Sequence, residues 1–256
     1  MATEPLIVIV GETASGKSSL AMMLAKKFDG EIICADSRTV YRGMDVGTAK
    51  PTLQQQAEIP HHLLDVVLPG EQYTVANFKQ AAQQIINDIA ARGKLPIMVG
   101  GSGLYIDAVL YVFGFSASSD ERDSLNPRHK SSNVPQQKSP LRENTLIMGL
   151  RMGRDELEKR ITQRVEGMLQ AGLVDEARRY EQQHGWSAEL ETIYGPLPLL
   201  EDGSYTIDDY SRAIVQKHMN LAKRQRTWFK RNKSIHWLKN PEESVALVTT
   251  FLNKSL

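Results

Sequence analysis

The sequence has little cysteine and no long hydrophobic run. Cys34 is the only cysteine among 256 residues, so no internal disulfide can form. No apolar run approaches the roughly 20 residues that a membrane-spanning helix needs, and the amino terminus lacks the basic and apolar segments of a secretion signal. These absences predict a cytoplasmic protein without membrane contact. Cys34 lies in an apolar run, which favours a small core residue over a reactive thiol.

The chain also lacks an excess of charge of one sign. It has 31 Lys and Arg residues against 30 Asp and Glu residues, which gives a net charge of +1. The molecule as a whole is therefore not a polycation, and any binding of nucleic acid must depend on a local basic patch. Its 256 residues, 41% of them hydrophobic and 24% charged, can form one large soluble domain or two small ones.

A glycine-rich motif at residues 11–18, GETASGKS, matches the pattern G-x-x-x-x-G-K-S. It follows an apolar run at 6–10 and precedes a helical pattern at 17–28. A strand, a glycine-rich turn and a helix start together form a cradle of backbone N–H groups for phosphate. Lys17 would contact the outer phosphate, and the Ser18 hydroxyl is a suitable ligand for Mg²⁺. The residues expected to bind a diphosphate or triphosphate are Gly11, Thr13, Ala14, Ser15, Gly16, Lys17 and Ser18.

Strand-like and helical patterns alternate along the chain. The strand-like runs are 6–10, 31–35, 95–99 and 145–150, with a weaker run at 62–67. The helical patterns are 17–28, 74–92, 103–112, 154–171 and 208–231. This alternation predicts an α/β fold with a P-loop NTPase-like parallel sheet, flanked by helices and followed by a helical C-terminal part.

The chain is expected to divide into three parts of one domain. Residues 1–115 would form the P-loop catalytic core. Residues 116–144 have few apolar residues and no periodicity, which predicts a polar linker. Residues 145–256 would supply the last core strand and a helical, basic part that completes the same domain.

Polar, turn-forming segments follow three of the predicted strands. The P-loop follows the first strand, residues 36–39 follow the second, and residues 100–103 follow the 95–99 run. Ligands of parallel sheets bind beyond the carboxyl ends of the strands, so these segments should share one crevice. From its position alone, Asp36 could bind Mg²⁺ through water, act as a general base or cap a turn. Ser102 could contact a ligand or cap the next helix.

A basic segment, residues 217–239, contains no acidic residue. Its eight cationic residues are Lys217, Lys223, Arg224, Arg226, Lys230, Arg231, Lys233 and Lys239. Trp228, Phe229 and Trp237 are interleaved with them, which favours a surface for nucleic-acid phosphates over an ordinary charged helix face.

Two smaller patterns are less specific. Arg160 and Arg164 share a helix face with Glu156, which is typical of a salt-bridged surface but also fits an arginine placed over phosphates. The adjacent His61 and His62 would point to opposite sides of a strand, so we expect packing rather than a metal site.

Together these segments resemble the tRNA dimethylallyltransferases, also called tRNA isopentenyltransferases. The resemblance covers residues 6–112 and 145–238, and the block at 36–51 is its most specific part. The matching segments are GETASGKS at 11–18, DSRTVYRGMDVGTAKP at 36–51, PHHL at 60–63, VGGSGLY at 99–105, EKRI at 158–161, RV at 164–165, Met168, GL at 172–173, AKRQ at 222–225 and TWF at 227–229.

The resemblance implies transfer of a dimethylallyl group from its diphosphate to N6 of adenine 37, in tRNAs that read codons beginning with U. Asp36 corresponds to the family's general base, and Ser102 to a threonine that holds the donor or the amine. Arg164 and Lys17 would stabilise the leaving diphosphate, with Mg²⁺ at Ser18. The expected contacts with the tRNA anticodon stem-loop are Arg38, Thr39, Lys223, Arg224 and Gln225. A monomer is expected.

The chain departs from the family pattern in three places. Thr39 replaces a glutamine that helps to recognise RNA, and Ile193-Tyr194-Gly195-Pro196 replaces an Ile-Gly-Tyr sequence. The polar stretch 116–144 stands where the family has a helical insertion subdomain that helps to grip the anticodon stem-loop. Three alternatives therefore stay open: prenylation of free adenine nucleotides as in cytokinin synthesis, a small-molecule P-loop kinase, and a non-catalytic RNA-binding module.

Overall fold

The computed structural model describes residues 3–111 and 140–255. Within these residues, six parallel strands form one sheet in the order β3-β2-β4-β1-β5-β6. The strands are β1 (Leu6–Gly11), β2 (Gly30–Ala35), β3 (His61–His62), β4 (Leu95–Gly100), β5 (Thr145–Leu150) and β6 (Ile235–Trp237). Every residue of β1, β2 and β4 is buried, as expected for central strands covered on both faces.

Helices cover both faces of the sheet. They are α1 (Lys17–Lys27), α2 (Leu53–Glu58), α3 (Val75–Ala91), α4 (Gly103–Leu110), α5 (Arg154–Gln170), α6 (Leu173–His184), α7 (Ala188–Tyr194), α8 (Leu197–Glu201), α9 (Ile207–Phe229) and α10 (Glu243–Ser255). Because side chains alternate along a strand, Leu6, Val8 and Val10 pack with α3 and α4, whereas Ile7 and Ile9 pack with α1 and α10.

The strand register brings three loops to one edge of the sheet. Val10 of β1 and Ala35 of β2 both pair with Gly100 of β4, which lies between them. The Ser102 N–H also donates a hydrogen bond of 3.2 Å to the Ala35 carbonyl oxygen. The P-loop and the segments that follow β2 and β4 therefore leave the sheet side by side.

The segment after β2 is anchored to the helices of the C-terminal half. Its Val40 and Met44 are buried in a third hydrophobic core with residues of α5, α6, α7 and α9. The buried carboxylate of Glu176 on α6 accepts hydrogen bonds of 2.8 to 2.9 Å from the backbone N–H groups of Asp45, Val46 and Gly47. The block at 36–51 thus forms a fixed wall beside the sheet.

The predicted α/β fold with a parallel, P-loop NTPase-like sheet is confirmed. The four strong strand predictions and the five helix predictions lie within two residues of the observed bounds. The 62–67 run is wrong as a strand, since β3 contains only His61 and His62 and Val67 forms an isolated bridge with Tyr41. The sequence patterns missed β6 and the helices α2, α6, α7, α8 and α10.

The predicted linker lies largely outside the described residues, which resume at Pro140. Just beyond that point, the Arg142 N–H donates to the Leu110 carbonyl oxygen at 2.7 Å, so the chain re-enters the fold beside the end of α4. The division into three parts stays a prediction. No helix among residues 3–111 and 140–255 is long and apolar enough to cross a membrane.

Candidate active site

The P-loop connects the carboxyl end of β1 to the first turn of α1. Ala14 and Gly16 have left-handed φ values of 60° and 94°, and Gly16 immediately precedes α1. The Ser15 N–H donates to the Glu12 carbonyl oxygen at 3.2 Å, which closes the turn. The positive end of α1 therefore points into the loop, an arrangement that favours a bound anion.

The members of the P-loop divide between the cleft and the core. Thr13, Ala14, Gly16, Lys17 and Ser18 line the cleft. Gly11 and Ser15 are buried and lie outside this lining set. A side chain at Gly11 would meet the Leu150 carbonyl oxygen at 2.5 Å, so glycine is required for the close approach of β1 and β5.

Lys17 stands at the start of α1, where its ammonium donates to the Glu12 carbonyl oxygen. Burial, and then the charge of Arg164, lower the pKa of Lys17 to about 8, while Asp36 and Glu12 act in the opposite direction. These interactions show that Lys17, Arg164 and Asp36 lie near one another. A phosphate in this space would meet a poorly hydrated ammonium, which strengthens the ionic contact.

Asp36 follows β2 directly and lines the same cleft as Lys17 and Arg164. One of its carboxylate oxygens accepts a hydrogen bond of 2.9 Å from the Arg38 N–H, which fixes the side chain in an Asx turn. The turn-capping interpretation of Asp36 is therefore confirmed, but it uses only one oxygen. Within the described residues the other oxygen has no hydrogen-bond donor, so it is available to a substrate.

Ser102 lies beside Asp36, at the N-cap position of α4. Its hydroxyl makes no capping hydrogen bond, so the capping interpretation is wrong for the side chain. Instead the Ser102 oxygen accepts from the Ser37 N–H at 2.9 Å and lies 3.3 Å from the Ser37 hydroxyl. This contact joins the loops that follow β2 and β4, and a ligand contact of Ser102 stays a prediction.

Arg160 and Arg164 project from α5 into the cleft lining. Arg160 Nε donates to Glu156 at 2.8 Å, which confirms the predicted salt-bridged face. The Nε of Arg164 is buried and has no hydrogen-bond partner in the described part of the chain. Burial lowers the pKa of Arg164, and Asp36 opposes this decrease. A buried N–H group without a partner is a natural donor for an anionic ligand.

The cleft has a volume of about 400 Å³. Its polar side consists of the P-loop, Asp36 and the two arginines of α5, and its apolar side includes Ile32, Cys34 and Val99. Burial raises the pKa of Cys34 to about 12, which agrees with a packing role for the thiol. A ligand with an anionic head and a short hydrocarbon tail matches this division of polar and apolar walls.

Gln225 of α9 is buried and joins two loops of the site. Its side-chain oxygen accepts from the Thr13 N–H at 2.7 Å, and its amide nitrogen donates to the Gly101 carbonyl oxygen at 3.2 Å. A side chain at Gly101 would lie 2.0 Å from this amide nitrogen. The structure therefore places Gln225 in the wall of the cleft and not on the exposed surface that we expected for an RNA contact.

The basic segment 217–239 is partly neutralised by acids from distant parts of the sequence. Arg226 pairs with the buried carboxylate of Glu12, and the Lys217 ammonium lies 3.6 Å from Glu191. Two of the eight cations therefore have acidic partners, and a phosphate-binding surface on this segment stays a prediction. Lys223 and Arg224 are exposed on α9, and neither has an ion-pair partner among residues 3–111 and 140–255.

The two other expected RNA contacts lie next to Asp36. Thr39 is buried, lines the cleft and donates from its hydroxyl to the Asp36 carbonyl oxygen at 3.3 Å. Burial lowers the pKa of Arg38; Asp36 raises it and Arg224 lowers it, which places Arg38 near both charges. Contacts of Thr39 and Arg38 with RNA stay predictions.

The adjacent histidines have separate partners. His61 Nδ1 lies 2.7 Å from the Ile59 carbonyl oxygen, and His62 Nε2 lies 2.8 Å from Glu31. No group of three or more His, Cys, Asp or Glu side chains suited to a metal ion occurs in the part of the chain that the structure describes. His61 also lines the cleft, a position that the sequence analysis did not assign to it.

Several further parts of the site were missed in the sequence. Thr48, Ala49 and Pro51 line the cleft, and the specificity of the 36–51 block was a signal that could have indicated them. The contact between Glu12 and Arg226 joins residues that are 214 positions apart, and a single sequence gives no pattern for such a pair.

Comparisons with known proteins agree with these observations. The family model described as IPP transferase matches residues 39–136 and 123–232. A tRNA dimethylallyltransferase from Anoxybacillus flavithermus is 35% identical, over 94% of this chain and 92% of its own length. That alignment spans 287 positions although this chain has 256 residues, so the relative has internal residues without a counterpart here.

Solved structures give the same result. The full-length tRNA isopentenylpyrophosphate transferase from Bacillus halodurans superposes with a TM-score of 0.83 at 31% identity, covering 99% of this chain and 98% of that one. A tRNA delta(2)-isopentenylpyrophosphate transferase from Staphylococcus epidermidis gives a TM-score of 0.82 at 32% identity, with coverages of 99% and 100%.

Proposed function

The chain belongs to the IPP transferase family, and we propose that it transfers a dimethylallyl group from dimethylallyl diphosphate to N6 of adenine 37 in tRNA. The observation that carries this proposal is the common cleft of Lys17, Asp36 and Arg164 beside an apolar wall. The names of the relatives supply the reaction class, which is dimethylallyl transfer to tRNA. Selection of tRNAs that read codons beginning with U belongs to the same proposal.

The donor would lie with its diphosphate in the P-loop and its hydrocarbon group towards Ile32 and Val99. Breaking the allylic C–O bond leaves negative charge on the departing diphosphate. The P-loop N–H groups, the Lys17 ammonium and the free Nε of Arg164 are donors fixed around that charge before the reaction starts. Such preorganised donors stabilise the transition state more than the ground state.

The acceptor would be the exocyclic amine of adenine. Its nitrogen forms the new bond to the allylic carbon as the C–O bond breaks, and one N6 proton then moves to the free oxygen of Asp36. The lone pair of this amine is conjugated with the ring, so proton removal by a fixed base is needed for efficient transfer. Extruding the base from the anticodon-loop stack costs a few kcal/mol, which contacts with the exposed Lys223 and Arg224 would offset.

Mg²⁺ fits the diphosphate end of the cleft. Ser18 presents an exposed hydroxyl at the start of α1, and Mg²⁺ commonly combines few protein oxygens with phosphate oxygens of the substrate. When bound, the ion would neutralise charge on the leaving diphosphate. The ammonium of Lys17, the residue before Ser18, would bind a phosphate oxygen of the same diphosphate. A monomer is part of the same proposal.

The alternatives are less well supported. The relatives are named for action on tRNA, which does not favour free adenine nucleotides as acceptor. A kinase leaves the family match of the 36–51 block unexplained. A non-catalytic RNA-binding module leaves the free oxygen of Asp36 and the unpartnered Nε of Arg164 without a role.

One experiment tests the proposal directly. The protein is incubated with Mg²⁺ and dimethylallyl diphosphate labelled in the prenyl group, and it is offered either unmodified tRNA or AMP. We expect label in tRNA, at adenine 37, and none in AMP. Label only in AMP would select the free-nucleotide alternative, and label in neither acceptor would reject prenyl transfer.

A further inference from the structure

A carboxylate lies directly within the P-loop. Glu12 is 1% exposed, and it follows Gly11 in the loop that should bind a diphosphate. A buried negative charge at this place would repel a diphosphate and would be costly to leave without a partner. Something must therefore neutralise Glu12 before the loop can bind an anion.

Arg226 of α9 provides the opposite charge. Its guanidinium contacts both carboxylate oxygens of Glu12, through Nε to one and through Nη2 to the other at 3.0 Å. Nη2 also donates to the Met152 carbonyl oxygen at 3.0 Å, just beyond β5. This bidentate geometry fixes the orientation of the pair as well as its charge.

The neighbouring residue of α9 contacts the same loop. Gln225 accepts a hydrogen bond from the Thr13 N–H, so two consecutive residues of the helix hold two consecutive residues of the P-loop. The guanidinium of Arg226 is paired with Glu12 and Met152 of the protein itself, whereas Lys223 and Arg224 on the same helix are exposed without an ion-pair partner among the described residues.

We propose that Arg226 is a positioning residue that acts through Glu12: it neutralises this buried carboxylate and holds the P-loop in the shape that binds the diphosphate of the donor. The inference rests on the proposed function, because it assumes that the loop binds a diphosphate. It removes Arg226 from the RNA-binding surface and makes diphosphate affinity, rather than tRNA affinity, the property that Arg226 controls.

The test is calorimetric binding of inorganic diphosphate with Mg²⁺, without tRNA. Arg226→Gln should weaken binding by about tenfold or more, because Glu12 is left unpaired next to the ligand. The double variant Glu12→Gln/Arg226→Gln should bind within about threefold of the wild type, because the uncompensated charge is gone. Lys230→Gln, which removes a cation from the end of the same helix, is the matched control and should bind as the wild type does.

A double variant that binds as weakly as Arg226→Gln would overturn the inference, since Arg226 would then act on the ligand directly. If Arg226→Gln does not fold, the double variant is compared with the wild type alone. Diphosphate affinity within about threefold is then the expected result, and a loss of about tenfold or more would overturn the inference. Prenyl transfer by the wild type is measured separately, so a protein that binds diphosphate but modifies no tRNA would reject the proposed function and leave this inference intact.

Discussion

Asp36 combines a structural contact with the carboxylate oxygen that we propose as the general base. The Arg38 N–H donates to one carboxylate oxygen, and Asp36 lines the same cleft as Lys17 and Arg164. A carboxylate fixed in this way loses little rotational freedom when a substrate amine approaches it. The same rigidity makes a test by substitution clear, because asparagine can keep the turn while losing the basic oxygen.

We expect Asp36→Asn to reduce kcat for prenylation of tRNA by about 100-fold or more, the usual contribution of a general base. Its affinity for inorganic diphosphate should not decrease at a pH well below 8, where Lys17 keeps its charge without Asp36, because only a negative charge has been removed. Rates are measured with labelled donor and diphosphate binding by calorimetry. Asp208→Asn, at an exposed position near the start of α9, is the matched control and should keep its rate. A near-normal rate in Asp36→Asn would show that Asp36 is not the general base.

The lowered pKa of Lys17 predicts that the protein takes up protons when it binds diphosphate. Its pKa of about 8 in the free protein is lower than that of an ordinary lysine, because burial and Arg164 disfavour the charged form. A bound diphosphate favours the ammonium and raises this pKa again, so binding at pH 8 to 9 should take up a fraction of a proton. Calorimetry in buffers with different ionisation enthalpies measures this uptake. Lys17→Arg stays charged throughout, and an equal uptake in this variant would assign the proton to another group.

The pKa of Lys17 also affects stability in a defined direction. The unfolded chain holds the Lys17 proton up to about pH 10.5, whereas the folded chain releases it near pH 8. Between these values the unfolded state binds more protons, so the contribution of Lys17 to the free energy of unfolding increases as pH rises.

Residues that belong to a local motif were predictable, and residues defined by distant contacts were not. Lys17 and the P-loop follow from an eight-residue pattern, and the position of Asp36 in the cleft follows from its place at a strand end. Gln225 was expected to contact RNA because it lies in the AKRQ segment that matches the family. Its burial arises from the packing of α9 across two loops, which sequence neighbours do not reveal.

At the scale of elements, α6 holds the segment that forms one wall of the cleft. The carboxylate of Glu176 accepts three backbone hydrogen bonds from residues 45–47, and a fourth of 3.0 Å from the Tyr194 hydroxyl. Tyr194 belongs to the segment that departs from the family's Ile-Gly-Tyr pattern. It is fully buried, and its carbonyl oxygen accepts from the Tyr210 hydroxyl. The altered segment therefore supports the 36–51 block in this chain.

Glu176→Gln should lower the free energy of unfolding by about 2–4 kcal/mol, because an amide cannot accept as many hydrogen bonds in this buried place. Chemical denaturation measures the change. Glu181→Gln is on the same helix, and the Glu181 side chain has no hydrogen bond or ion pair among the described residues, so this variant should change stability by less than about 0.5 kcal/mol. Equal effects of the two substitutions would show that helix α6 as a whole, and not its buried carboxylate, anchors the segment.

Elements with a strong pattern of their own were predictable from the sequence. The strands β1, β2, β4 and β5 are continuous apolar runs, and α3 and α9 have long amphipathic patterns with capping boxes at Thr74 and Thr206. By contrast, β6 has three residues and α8 has five. Elements of this length depend on tertiary contacts for their stability, so their own residues specify them only weakly.

At the scale of the whole molecule, the net charge is only +1, but the cations of α9 fall into two groups, with and without an acidic partner among the described residues. Arg226 and Lys217 of α9 have acidic partners, whereas Lys223 and Arg224 remain exposed without an ion pair in the part of the chain that the structure describes. Arg38 interacts electrostatically with Arg224 and lies next to Asp36. Arg224 and Arg38 therefore place positive charge between the exposed face of α9 and Asp36, and this charge would attract an RNA phosphate backbone towards the cleft.

This separation predicts that the affinities for tRNA and for donor can be changed independently. The double variant Lys223→Gln/Arg224→Gln should weaken tRNA binding and reduce the slope of log affinity against log salt by about two, roughly one for each lost phosphate contact. Its affinity for inorganic diphosphate should not change, because both side chains project from α9 outside the set that lines the cleft. Filter binding of tRNA at several salt concentrations gives the slope. Lys254→Gln removes one exposed cation on α10 and controls for total charge. A slope change of about one in that variant, half the change in the double variant, would mean that tRNA responds to overall charge and not to the exposed face of α9.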